Sequence, residues 1–326
     1  MKVAVLKAPE RIEFEERDTR EPDSNEVIVK VLHAGIAGTD LRIYKGILKP
    51  KLPLVLGQEL VGKVKETGDM VDNISEGDTA VIEPVLRCSR CEYCLSGRYN
   101  LCEGLEVLGV TTDGGFAEEI VLPEYMLHRI PEGIDIKDAV LVNPAAVAFY
   151  AVKKAKISFD EKVAVLGGGP IGLSAVQFAL RQGAEVVLVE PEEYRRHFAE
   201  RHFNVETLSP EDADDLSGKI DAVIEASGNP EAIGSATEIV KRGGRIAVAG
   251  AFGAESKLNF SLIVRKDIEM HGVWLYPNIF KRVIGVLDRG KINLQPYITH
   301  EFEFEEIENA FKTALTEGAI KVLLEF

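Results

Sequence analysis

Cys88, Cys91, Cys94 and Cys102 are the four cysteines of the chain, and all lie in the run CSRCEYCLSGRYNLC. The spacing C-x₂-C-x₂-C-x₇-C can wrap four thiolates around one tetrahedral ion, and zinc is the usual occupant. Cysteines can also serve as small core hydrophobes. Here their neighbours Ser89, Arg90, Glu92, Ser96, Gly97 and Arg98 are polar or turn-forming, which argues against a core role. Four thiolates close a coordination sphere and leave no place for substrate, so this spacing predicts one structural ion per chain.

A second group is Gly167-Gly168-Gly169-Pro170-Ile171-Gly172. Gly167, Gly169 and Gly172 supply a G-x-G-x-x-G spacing between a strand-like KVAVLG and a helix-like IGLSAVQFALRQ. In that context the first glycine allows a tight turn, the second lets backbone approach a pyrophosphate, and the third lets helix pack on strand. Pro170 and Ile171 open the helix, whose free N–H groups favour phosphate. Glu190 ends the next strand, 23 residues after Gly167. A carboxylate there accepts hydrogen bonds from ribose hydroxyls and repels a 2′-phosphate, so NAD is expected over NADP. Arg195 and Arg196 follow in the next helix, either near the adenosine ribose or on a solvated face, and keep NADP open as a minor alternative.

The elements that carry these groups divide the chain. Residues 1–142 read as mainly β, with strand-like Val3–Leu6, Val27–Leu32, Val61–Lys65, Thr79–Ile82 and Phe116–Val121 between Gly, Pro and Asp turns. Helical patterning is scarce there before Asp138–Lys153. From Lys162, strands and helices alternate, with a helix expected over PEAIGSATEIVKR and a closing strand in IEMHGVW, the mark of a parallel doubly wound sheet. The tail, with helices at Ile279–Asp288 and Glu305–Glu317 and a strand at Ile320–Glu325, returns to the first domain. The fold class is therefore α/β, with domains at 1–143 plus 276–326 and at 144–275, and the cysteine lobe at 86–104.

Hydrophobic and charged contents of 46% and 28% suit a globular protein. A net charge of −15 disfavours nucleic acid and anionic membranes as partners. No run of 18 apolar residues suggests a membrane span, and the N-terminus lacks signal-peptide character. Cytoplasmic residence is expected, where thiols stay reduced.

Together the pieces resemble the zinc-containing medium-chain alcohol dehydrogenases over essentially the whole chain. Gly35-Ile36-Ala37-Gly38-Thr39-Asp40 is similar to the family's G-I-C-G-T-D. Gly57-Gln58-Glu59 with Gly62, Gly68 and Val71 is similar to its G-H-E-x₂-G-x₅-G-x₂-V. The resemblance implies a GroES-like catalytic domain, a Rossmann domain, NAD(P)-linked interconversion of alcohol and carbonyl between them, and a homodimer or homotetramer. It adds Ala226, Gly250 and Lys321 to the cofactor side, with Lys321 near the pyrophosphate or on a solvated strand.

The departures fall on the chemistry. The catalytic cysteine is replaced by Ala37, the histidine of G-H-E by Gln58, and the third zinc ligand by Asn143. The relay histidine position holds Arg42. Ala, Gln and Asn cannot supply the thiolate, imidazole and carboxylate donors that bind zinc, so loss of the catalytic zinc is expected. A weak metal site using Asp40 and Glu59 is the alternative, with His33 either a further ligand or, as preferred, a packed strand residue. Without metal, Asp40 and Glu59 need new partners, which Gln58 or Arg42 could supply. Amide donors of Gln58 and Asn143 and the Thr39 hydroxyl could polarise a carbonyl oxygen, while Arg42 donates to the cofactor ribose or a phosphate. Small alcohols, ketones, aldehydes or enones are the implied substrates. Two further readings stand beside this one: an NAD-binding sensor without turnover, and a dehydrogenase whose catalytic metal site was removed.

Overall fold

The computed structural model describes residues 1–253 and 255–326, and the chain falls into two compact units, Met1–Asn143 with Phe280–Phe326, and Pro144–Ile279. The chain returns to the first unit at Phe280, four residues later than the expected 276.

In the first unit a sheet of seven strands runs in the order Leu127–Arg129, Thr79–Ile82, Glu59–Thr67, Glu26–Gly35, Lys321–Glu325, Ile298–Glu303. Glu119–Pro123 pairs with the early part of Glu26–Gly35, and Lys321–Glu325 with its end. Val27, Ile28, Val29 and Val31 are buried while Lys30 is exposed, so this central strand is covered on one face throughout and partly on the other. Lys2–Ala8 forms a second, three-stranded sheet with Arg11–Glu16 and Leu54–Val55. The two-stranded ribbon of Val85–Leu86 and Glu106–Val107 closes the base of the cysteine lobe.

A short helix, Gly38–Tyr44, was invisible to periodicity, since seven residues are only two turns. The tail helix Ile307–Ala314 fixes it from the core: the Phe311 ring lies 4.7 Å from that of Tyr44 and 5.9 Å from that of Phe116. The tail helix is shorter than Glu305–Glu317 because Phe304–Glu306 winds as a 3₁₀ turn and Leu315 caps the end.

The second unit is a six-stranded sheet, parallel throughout, ordered Glu206–Leu208, Glu185–Val189, Lys162–Leu166, Ile220–Glu225, Val240–Val248, Glu269–Gly272. That is the 3-2-1-4-5-6 order of a Rossmann domain, with the direction of winding reversing between Lys162–Leu166 and Ile220–Glu225. The helix expected over PEAIGSATEIVKR stops at Ile239. Val240 is buried and pairs with Ile220, and the Lys266 ammonium takes the carbonyls of Thr237, Glu238 and Val240, which no further helical turn then uses. Among the described residues, no helix is long and apolar enough to cross a membrane.

Candidate functional site

The four cysteine sulfurs lie within 4.8 Å of one another, and Cys88 Sγ is 3.9 Å from Cys94 Sγ. Tetrahedral zinc with Zn–S bonds of about 2.3 Å needs sulfurs about 3.8 Å apart, so the cluster fits the ion. The backbone N–H of Cys91 donates to Cys88 Sγ, and that of Cys88 to Cys102 Sγ, each at 3.3 Å. N–H donors of Arg90 and Cys91 draw the Cys88 thiol down to about 6, whereas burial and the neighbouring thiols push Cys94 up to about 12. Without a cation the four sulfurs cannot all be thiolates; a divalent ion takes the place of their protons.

Buried polar groups that the sequence did not single out tie the lobe to the sheet. Tyr99 donates its hydroxyl to Glu83 Oε1 at 2.7 Å, and His128 Nε2 meets Glu83 Oε2 at 2.8 Å. The Arg87 guanidinium lies over the rings of Tyr99 and Tyr125, 4.3 and 4.7 Å from their centroids. Only the tyrosine and arginine content of the lobe hinted at such a clamp.

Of the zinc-ligand positions that differ from the resembled family, Ala37 and Gln58 lie beside the paired strand ends Gly35 and Glu59, and Asn143 lies in the helix Val142–Lys154. Ala37 caps the helix Gly38–Tyr44, which carries the half-buried Thr39 and Arg42. Gln58 precedes the strand Glu59–Thr67, and the Asn143 side-chain amide donates to the Gln58 carbonyl at 3.2 Å. Asp40, fully buried, accepts the N–H groups of Ala37 at 2.8 Å and Gly57 at 3.3 Å, joining the Ala37 and Gln58 segments. Burial, opposed by those bonds and reinforced by the charge of Glu59, pushes Asp40 up to about 7.

Lys321 is not the solvated strand residue that was one expectation. It is 3% exposed, and its ammonium donates to Glu59 Oε2 at 2.5 Å and to the Ile36 carbonyl at 2.9 Å. The ammonium is therefore buried and bonded within the first unit rather than solvated. Lys321 also corrects the partner expected for Glu59, which was Gln58 or Arg42. Burial raises the Glu59 carboxyl and Lys321 holds it back. Among the described residues, the four cysteines are the one group of three or more His, Cys, Asp or Glu side chains able to hold a metal. Asp40, Glu59 and His33 do not form a second. His33 stands in the strand Glu26–Gly35, paired with Val61, where burial lowers its imidazole pKa.

In the second unit Gly167 has φ 105°, the left-handed region open to glycine. A Cβ on Gly172 would sit 1.8 Å from the Gly167 carbonyl oxygen, so helix and turn close on each other only because it is glycine. Gly169 differs: a Cβ there meets nothing within 4 Å. Packing does not demand that glycine, and the open space above it, at the N-cap before Pro170 and Ile171, is what a phosphate would occupy. Glu190 is buried, accepting the N–H of Gly168 and, at 3.0 Å, that of Glu192. Arg195 pairs with Glu192 at 3.2 Å and lies against Gly168, while Arg196 donates to the carbonyls of Glu190 and Pro191, both at 2.7 Å. Ala226 donates to the Leu166 carbonyl at 2.8 Å, at the reversal of winding, and Gly250 to that of Glu225 at 3.0 Å, one strand beyond it.

A Rossmann unit with a phosphate-ready glycine turn, joined to a β-rich unit bearing a metal lobe, defines a nicotinamide-linked dehydrogenase architecture. Comparison with known proteins names the family. Residues 23–132 match the alcohol dehydrogenase GroES-like domain and residues 170–289 the zinc-binding dehydrogenase domain. Sorbitol dehydrogenase of Bacillus subtilis is 30% identical over 97% of this chain and 94% of its own. An alcohol dehydrogenase, rspB, of Escherichia coli CFT073, solved with NADH, superposes with a TM-score of 0.93 at 30% identity, covering 100% of this chain and 99% of that one. A Sinorhizobium meliloti protein described as a zinc-binding dehydrogenase, solved with NADP, gives a TM-score of 0.93 at 29% identity and the same coverage. The chain belongs to the zinc-type alcohol dehydrogenase family of medium-chain dehydrogenases, and is an alcohol dehydrogenase-like oxidoreductase.

Proposed function

We propose that this chain moves hydride between NAD and a small alcohol or carbonyl compound without a catalytic zinc, and that its one zinc is structural. The observation that carries this is the set Ala37, Gln58 and Asn143, with Asn143 bonded to the Gln58 carbonyl and the neighbouring Glu59 carboxylate already held by Lys321. A thiolate, an imidazole and a free carboxylate are all missing from the place where the family's ligands fall.

Bound NAD supplies or accepts the hydride. Gly169 leaves room for its pyrophosphate, Gly167 and Gly172 let turn and helix close beside it, and the buried Glu190 carboxylate supports NAD over NADP. Arg42 is assigned to the cofactor ribose or a phosphate. Thr39, Gln58 and Asn143 offer neutral O–H and N–H donors to the developing oxyanion, and Asp40 and Glu59 brace the segments that present them. A metal contributes several kcal/mol to such a transition state. Its loss therefore favours activated ketones, aldehydes or enones over oxidation of simple alcohols. Reduced cysteines suit a cytoplasmic setting, and family resemblance supports a homodimer or homotetramer.

One observation favours the rival reading, an NAD-binding protein without turnover. An N–H of Asn143 is already spent on the Gln58 carbonyl. The test is oxidation of NADH and NADPH across ketones, aldehydes and enones, in protein with only its tightly held zinc. Turnover with NADH carries the proposal. Tight NADH binding without turnover on any of them supports the rival, and NADPH preference would overturn the assignment of Glu190.

A further inference from the structure

The carboxylate of Glu225 is 0% exposed and ends the strand Ile220–Glu225, beside Leu166 in the register of the sheet. Its Oε1 accepts three hydrogen bonds, from Ser227 N–H at 2.8 Å, Ser227 O–H at 2.6 Å and Gly228 N–H at 2.8 Å. Three donors thus converge on one carboxylate oxygen and hold it against the turn. Oε2 is buried with no hydrogen-bond partner. The Glu225 backbone carbonyl also receives the N–H groups of Ala249, at 2.8 Å, and Gly250. One residue thus shapes the turns after two adjacent strands on the same side of the reversal of winding.

Those turns press on the glycine loop. A Cβ on Gly167 would come 2.8 Å from the Ser227 nitrogen, and a Cβ on Gly250 would come 2.4 Å from Glu225 Oε2. In a doubly wound sheet a dinucleotide lies across this reversal, one mononucleotide to each half. Glu190 belongs to the half that takes adenosine, so Glu225 belongs to the half that takes the nicotinamide. The oxidised ring is cationic and the reduced ring neutral, so a fixed anion in this low-dielectric wall acts on the two forms unequally.

We propose that Glu225 is a positioning residue of the nicotinamide half, whose buried negative charge makes the chain bind NAD⁺ more tightly relative to NADH. The inference rests on the assignment of the glycine turn to a dinucleotide. Dissociation constants for NADH, by nucleotide fluorescence, and for NAD⁺, by competition, test it in wild type, Glu225→Gln and Glu225→Asp. In Glu225→Gln the affinity for NAD⁺ falls at least five-fold more than that for NADH. Glu225→Asp keeps the charge but misplaces the turn, so both affinities fall by similar factors. Equal losses of both forms in Glu225→Gln, or none, overturn the charge role. If that variant does not fold, Glu225→Leu is held to the same selective loss. Wild-type protein that binds neither form overturns the dinucleotide assignment itself, and this inference with it.

Discussion

Replacing Lys321 by Met strands the Glu59 carboxylate. Lys321 is 3% exposed and Glu59 4%, so the ammonium is replaced by apolar atoms rather than by water. Two bonds are lost, one to Glu59 and one to the Ile36 carbonyl. Removing one partner of a buried ion pair typically costs about 3–5 kcal/mol, most of it the cost of leaving the other charge uncompensated. A unit of this size shifts its melting temperature by about 2–4 °C per kcal/mol, so a fall of roughly 10 °C is expected at pH 7.5. Glu59 is already raised by burial, and loss of Lys321 raises it further. A carboxyl raised in the folded state contributes stability below its unfolded pKa and loses it as pH rises through the folded value. The deficit of Lys321→Met is therefore small near pH 5 and grows towards pH 8. Adding Glu59→Gln removes the stranded charge and recovers at least half of the loss at pH 7.5. Calorimetry from pH 5 to 8 reads all three proteins. A single-variant fall under 2 °C, or a double variant no better than the single, refutes the buried pair.

Three further outcomes follow from the same geometry. Asp40, pushed up to about 7, contributes stability below its unfolded value near 4 that disappears as pH rises through 7; the stability gap between wild type and Asp40→Asn in urea titrations narrows from pH 5 to pH 8. Gly172→Ala drives a methyl into the Gly167 carbonyl, and NADH affinity by fluorescence falls ten-fold or more while the four-cysteine lobe keeps its metal. Cys102→Ser removes one of four thiolates, so zinc is lost on dialysis against chelator and limited proteolysis cuts within residues 86–104, with the second unit left intact.

The second unit was legible because parallel strands buried on both faces read as unbroken apolar runs, as KVAVL and EVVLV do. The cysteine lobe was legible because its ligands are close in sequence. What escaped depends on distant or short pieces. Lys321 and Glu59 are 262 residues apart, and nothing local marks a strand-end lysine as an ion-pair partner rather than a solvated or phosphate-facing one. The helix Gly38–Tyr44 is too short to show a period, and it is Asp40 folded back on Ala37 that reveals it. Glu225 carried no signal of its own in the sequence, since its role comes from a turn that folds back on it. The residue types at Ala37, Gln58 and Asn143 could be read from sequence alone, but the bonds of Asn143 to Gln58 and of Lys321 to Glu59 needed the fold.

The central claim is that the chain holds one zinc, in the cysteine lobe, and no catalytic one. Metal analysis of the purified protein, alongside its Cys102→Ser variant, tests it most directly. One zinc per chain is expected, lost in the variant, with NADH binding unchanged between the two. Two zinc ions per chain, or one that persists in Cys102→Ser, would contradict it.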